Sequence, residues 1–231
     1  SQLGSLEFEA GRFTEAADTW DQLVKRFPKS HLVDSTQLNT GYALFKLKRF
    51  PEAIGRFQAA RRLSSQAALA DYWRGICLKS LDRHADAISA FGQAEKAKPA
   101  ERLARDVQFQ WADTEFRAGN FDHARTRFLQ VVDRWPQHAQ ADQGLLFATE
   151  AALLEVEAAT DSTSRPKTLT RARSLVDRFE KDYPDSKLAW RHKLQAGRLE
   201  AANGNQTGFR KAIVLFQEVL AGNPSAQTHR R

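Results

Sequence analysis

The side chains best suited to chemistry in this sequence are aromatic and basic ones recurring at helical spacing. Leu38, Tyr42 and Phe45 are separated by four and then three residues, as are Tyr72, Ile76 and Lys79, and Phe109, Asp113 and Phe116. Residues so spaced share one face of an α-helix. Aromatic side chains on an accessible face are anchors for an apolar or amphipathic segment of another protein. Leu146, Glu150 and Leu153 repeat the spacing, as do Leu194, Arg198 and Ala201. Lys187, Arg191 and Arg198 also fall on one helical face, where their charges would attract a carboxylate or an acidic stretch. The aromatic stripe has a second explanation: a stacked array of helices could bury it against its own later members.

Catalysis has no comparable support. Cys77, the only cysteine, lies two residues after Gly75 on a helix face expected to be packed, and reads as a small core hydrophobe. It can form no internal disulfide. His31, His84, His123, His138, His192 and His229 do not share metal-ligand spacing. The glycine-rich phosphate loop, the dinucleotide fingerprint, His-Glu-x-x-His, Cys-x-x-Cys and Gly-x-Ser-x-Gly are all missing. The expectation is a protein without enzymatic activity, cofactor or metal.

Composition narrows the partner. The chain has 35 basic and 28 acidic residues, a formal charge of +7, which admits an acidic protein, nucleic acid or an anionic membrane surface. The charges are interspersed with no run of five of one sign, which favours a solvated surface over a nucleic-acid footprint. Hydrophobic residues make up 42% of 231, enough to bury a sizeable core. No apolar stretch approaches the roughly 18 residues of a membrane-spanning helix. Ser1 cannot be an initiating residue, only three residues precede Gly4, and no polar capping helix follows Pro224. The chain is therefore expected to be part of a longer one.

These residues need elements to position them, and a repeat supplies those. An aromatic residue, a spacer, an acid and an alanine recur as Phe13-Thr14-Glu15-Ala16, Phe50-Pro51-Glu52-Ala53 and Phe121-Asp122-His123-Ala124. His84 to Ala87 and Phe209 to Ala212 are variants, and Ala172 anchors a divergent copy. Four residues after each alanine stand Trp20, Phe57, Phe91, Phe128, Val176 and Phe216. Twelve residues after it stand Pro28, Ser65, Pro99, Pro136, Pro184 and Pro224. The alanine and the aromatic share one helix face, and the proline closes the helix. Phe57, Phe91 and Phe128 are accordingly expected in the core.

A small residue marks the preceding helix of each unit: Gly4, Gly41, Gly75, Ala112, Thr149 and Gly197. Gly11 and Gly119 occupy the turn between the two helices. The alanines are 37, 34, 37, 48 and 40 residues apart. The long interval contains a polar stretch, residues 158–167, read as a connecting loop or a partner-contacting insertion, and as the boundary if the array divides in two. Repeats one to four and the first helix of the fifth are expected in 1–157, the rest in 168–231. At least eleven helices and no strand are expected.

This pattern resembles the tetratricopeptide repeat (TPR), and the likeness spans essentially the whole chain in six units. The resemblance implies an all-α array, a right-handed α-solenoid whose first helices line a concave groove that holds a protein or peptide partner. Tyr183-Pro184-Asp185-Ser186-Lys187-Leu188-Ala189 is similar to bacterial cell-envelope repeat proteins of the Tol-Pal coordinator and outer-membrane assembly lipoprotein kinds, which implies a periplasmic or envelope setting. Family members that grip a C-terminal carboxylate do so with lysines and asparagines on the concave face. Leu38, Tyr42, Tyr72 and Ile76 stand there instead, so heat-shock protein tails are not the expected ligand. Two other functions remain open from sequence: a docking region of a larger enzyme, and nucleic-acid binding.

Overall fold

The computed structural model describes residues 2–61 and 66–222, and these residues form twelve α-helices and no strand. They fall into two compact units. The first, Ser1–Ala118, contains α1 (Gln2–Glu9), α2 (Phe13–Arg26), α3 (Val33–Lys46), α4 (Phe50–Ala60), α5 (Ala67–Ser80), α6 (His84–Lys96) and α7 (Glu101–Arg117). The second, Gly119–Arg231, contains α8 (Phe121–Arg134), α9 (Ala141–Ala158), α10 (Ser164–Asp182), α11 (Ala189–Ala202) and α12 (Gln206–Gly222). Within each unit, every helix packs on its neighbours in sequence.

The small residue of each first helix has a definite task. A Cβ at Gly41 would stand 2.6 Å from the Phe57 ring, and one at Gly75 2.6 Å from the Phe91 ring. Gly4 is held as closely against the Trp20 indole, and Gly197 against Phe216. At these four glycines the aromatic of the second helix thus occupies the space a Cβ on the first would need. Phe57, Phe91 and Phe128 are fully buried, as expected. In the fifth repeat Val176 takes the aromatic position, and Phe179, one turn on, is the buried ring.

The prolines act through the residue before them. Phe27, Trp135 and Tyr183 cap α2, α8 and α10 with nearly identical dihedrals, φ −132°, −132° and −135°. Each is forced out of the helical region by the ring that follows. The Tyr183 hydroxyl reaches the Pro136 carbonyl at 3.4 Å, so one aromatic-proline turn rests on the preceding one. Gly11 and Gly119 adopt φ of 75° and 80°, in the turns between paired helices. Lys48 and Asp82 hold the same left-handed turn position at φ 58° and 54° without glycine's freedom. Ser65 and Pro224 lie outside the described residues.

The polar stretch differs from expectation. Ala158 is the last residue of α9, and Ser164 to Lys167 belong to α10, leaving only residues 159–163 as a connection. The extra length of the fifth repeat lengthens its helices to 18 and 19 residues. Asp161 starts α10: its Oδ1 accepts the backbone N–H groups of Thr163 and Ser164, and its carboxylate also accepts both of their hydroxyls. Those hydroxyls and N–H groups hold its pKa well below the usual carboxylate range. Arg165 donates to the carbonyls of Val156, Ala159 and Ala202, the last turns of α9 and α11. The two compact units meet between Ala118 and Gly119, within the fourth repeat, and the stretch marked by sequence joins helices of one unit.

Candidate functional site

In the first unit the predicted stripe is a half-buried aromatic surface. Leu38 is buried, and Tyr42, Phe45, Tyr72, Ile76, Phe109, Asp113 and Phe116 are each intermediate in exposure. The residue that organises it is Trp73, which the stripe rule overlooked because it lies one position, about 100° of helix, beyond Tyr72. The Trp73 ring sits 5.2 Å from Tyr42, 5.0 Å from Phe45 and 5.5 Å from Tyr72, in each case edge to face. Tyr42 also packs on Phe57 at 5.6 Å, and Tyr72 on Phe91 at 6.2 Å. Burial pushes the Tyr42 and Tyr72 hydroxyls up to about 12. The stripe is therefore partly closed by its own helices. Asp113 accepts from Lys79 at 3.0 Å and from Arg117 at 2.9 Å.

In the second unit the equivalent face opens into a cavity of about 470 Å³. Its walls are Leu146, Phe147 and Glu150 from α9, Trp190, Arg191 and Leu194 from α11, and Phe216 from α12. Leu146, Glu150, Leu194, Arg191 and Arg198, named from the sequence, are among the residues that line it. Leu153 is buried and is not among the lining residues. Trp190 is 42% exposed, an indole presented to the mouth of the cavity.

Gln195 was not foreseen. Its Nε2 donates to the Leu146 carbonyl at 2.9 Å and to Glu150 Oε2 at 3.1 Å. Two acceptors fix the amide's orientation, which turns Oε1 away from both. That oxygen is buried and has no hydrogen-bond partner among the described residues. A buried acceptor left unmatched costs about 1–3 kcal/mol.

The three basic residues do not form one cluster. Arg198 donates to Glu150 at 2.5 Å and to Glu157 at 2.7 Å, so its charge is already matched. Burial opposes its charge, but these two carboxylates outweigh that and hold its pKa above the ordinary value. Lys187 is exposed in the turn before α11 and does not line the cavity. Arg191 is exposed, lies 5.6 Å from the centre of the Trp190 ring, and has no ion pair among the described residues. Among the described residues one unpaired cation, not three, borders the cavity.

Cys77 is buried, and burial pushes its thiol up to about 12. A thiol so protonated at neutral pH is a poor nucleophile. Among the described residues no helix is long and apolar enough to cross a membrane, and no group of three His, Cys, Asp or Glu side chains is placed to hold a metal ion.

The chain is similar in fold to YrrB, described as a TPR protein with an unusual peptide-binding site: TM-score 0.65, 15% identity, over 91% of this chain and 95% of that one. It is similar to PilW, a widely conserved type IV pilus biogenesis factor, at TM-score 0.59 and 16% identity over 100% and 96%. MamA residues 41 to the end, from Desulfovibrio magneticus RS-1, aligns at TM-score 0.59 and 14% identity over 85% and 96%. None of the curated proteins compared with it matches the chain. The tetratricopeptide-repeat pattern matches residues 38–102 and 109–160, and a second tetratricopeptide-repeat pattern matches residues 2–30. With the paired helices, the small residue under each aromatic and the closing prolines, these matches establish that the chain belongs to the tetratricopeptide-repeat family.

Proposed function

We propose that this chain is a non-catalytic scaffold that holds a segment of another protein in the second unit's cavity, with the first unit's aromatic stripe as a subsidiary contact. The observation that carries the reading is the cavity: apolar side chains from three helices, with the exposed Trp190 indole and the Arg191 cation among its lining. The fitting ligand inserts a bulky apolar side chain and carries a carboxylate toward Arg191. The peptide-binding site ascribed to YrrB supports a peptide as the ligand class. The pairing of cations with acids, such as Arg56 with Asp21, Arg125 with Glu155 and Arg178 with Asp133, argues against a phosphate-binding surface.

A displayed random-peptide library, selected on the 231-residue chain, tests this. Enriched peptides are expected to pair an apolar residue with an acidic one. Trp190→Ala is expected to weaken them by about 1–3 kcal/mol, as loss of an aromatic anchor does. Peptides that bind the Trp190→Ala variant as well as the parent would overturn the assignment to this cavity.

We infer further that the chain works in a bacterial cell envelope. The run Tyr183 to Ala189 and the fold likeness to a pilus biogenesis factor support this setting. Fractionation of cells expressing the native gene checks it, and recovery only with cytosolic markers would overturn it.

A further inference from the structure

Within each unit, an arginine crosses between the second helices of consecutive repeats at every junction but one. Arg56 of α4 donates to Asp21 of α2 at 2.7 Å, and Arg61, the cap of α4, to Gln93 of α6 at 3.2 Å. Arg178 of α10 reaches Asp133 of α8 at 2.8 Å. Between α10 and α12 no hydrogen bond or ion pair crosses among the described residues, and a groove of about 490 Å³ lies there. Its apolar lining is Val176 of α10, Ala196 and Leu199 of α11, and Val214 and Leu215 of α12. Val214 is 52% exposed. Val176 is the one aliphatic residue at the position that Trp20, Phe57, Phe91, Phe128 and Phe216 hold in the other repeats.

The groove shares no residue with the cavity described above. Nor does it lie where a further repeat would pack. The residue after a repeat's alanine meets the next repeat: Ala17 packs with Ala43 of α3, and Arg173 donates to Glu200 of α11 at 2.8 Å. In α12 that residue is Ile213, which does not line the groove. Leu215, which does, stands about 200° of helix away from it. The charges of the groove are divided between its sides: α10 contributes the acids Asp177 and Glu180, and α12 the bases Arg210 and Lys211. All four are exposed, and Asp177, Arg210 and Lys211 have no ion pair among the described residues. Glu180 reaches His192 at 3.4 Å and stays open to solvent.

We propose that this groove docks an amphipathic helix of a partner protein, its apolar face on Val176, Leu199 and Val214, basic side chains along the flank toward α10 and acidic ones along the flank toward α12. Charge complementarity names the occupant, because each side of the groove offers charge of one sign and the two sides are opposite. An anionic surface, whether lipid or nucleic acid, would be repelled by Asp177 and Glu180. The apolar lining offers no partners to a bare extended backbone, whereas a helix arrives with its N–H and C=O groups already bonded. This inference does not depend on the cavity reading.

A fluorescein-labelled helical peptide of about 14 residues tests it, with leucines at i, i+3, i+4 and i+7, lysines along one flank and glutamates along the other. Fluorescence anisotropy with the 231-residue chain is expected to show saturable binding. Val214→Glu alters an exposed position, and circular dichroism checks that the variant keeps its helices. It is expected to weaken the peptide about tenfold or more. Trp190→Ala, which alters the cavity instead, is expected to bind the peptide as the parent does. Peptides with lysine on both flanks, or glutamate on both, are expected to bind the parent more weakly than the mixed one. In an Arg210→Glu, Lys211→Glu variant the order is expected to change, the all-lysine peptide becoming the tightest. Absence of saturable binding up to millimolar concentration, equal binding by the Val214→Glu variant, loss of binding in Trp190→Ala, or an order of peptides unmoved by the charge reversal would overturn the proposal.

Discussion

The same helical face is built twice in this protein, once in each compact unit, with opposite results. In the first unit its side chains are aromatic, and Trp73 fills the space between Tyr42, Phe45 and Tyr72. In the second unit the corresponding positions are leucines and a salt-bridged pair, Glu150 with Arg198, and a cavity remains. A groove in this fold is left open by what the neighbouring side chains do not fill.

The largest effect that would sharpen this comparison comes from the shared core. Phe57→Ala and Phe91→Ala each remove a fully buried ring that rests on a glycine, and about 3–5 kcal/mol of stability is expected to go with it. Urea unfolding measures it, and midpoints near that of the parent would mean the aromatic-on-glycine contact is not the core.

Next come the two stripes themselves. Tyr42 packs on Phe57 and Trp73, so Tyr42→Ala is expected to cost roughly 1–2 kcal/mol, about half of a full core truncation. Trp190 meets solvent, and Trp190→Ala is expected to change stability by less than about 1 kcal/mol. Equal costs at the two positions would erase the distinction between a filled stripe and an open one.

Acid should separate the units as well. His192 of α11 is stacked on Phe179 with ring centres 4.6 Å apart, its Nδ1 is buried without a partner, and Glu180 and Asp177 are the acids that face it. Burial lowers its pKa below the ordinary 6.5, and Glu180 only partly offsets this. The unfolded chain then binds a proton near pH 6.5 that the folded one refuses. The stability His192 contributes is complete above that pH and falls as pH drops below it. Urea unfolding followed by circular dichroism from pH 7.5 to 5 should show the loss, and His192→Phe should flatten it. An unchanged slope in that variant would remove His192 as the cause.

The smallest expected effect is a gain. Lys48 and Asp82 sit at φ 58° and 54°, where a Cβ is crowded. Replacing either by glycine is expected to stabilise by about 0.5–1 kcal/mol, because the turn strain goes while the turn stays. Thermal unfolding of both variants measures it.

Most of the architecture was legible in the sequence because a repeat constrains every unit with the same few contacts. The alanine, the aromatic four residues on and the glycine on the preceding helix are one contact, written in each unit with small variation. Trp73 and Gln195 were not legible, because each acts across helices through a direction that spacing along one helix does not encode. Arg198 sat on the expected face, but its neutralisation by Glu150 and Glu157 depends on α9 lying opposite. The polar stretch after Ala158 reads as loop by composition, yet Asp161 and Arg165 convert its residues into helix caps. The division at Ala118 left no mark, since Gly119 is an ordinary turn glycine.

Arg165 has a consequence for how the second unit opens. One guanidinium holds carbonyls at the ends of both α9 and α11 while its own backbone belongs to the first turn of α10. Fraying of the first turn of α10 withdraws the shared donor from both of the other ends at once. Their amide protons should then exchange with solvent as a single cooperative group, at one common opening free energy. An uncharged side chain at this position would let the three ends fray independently.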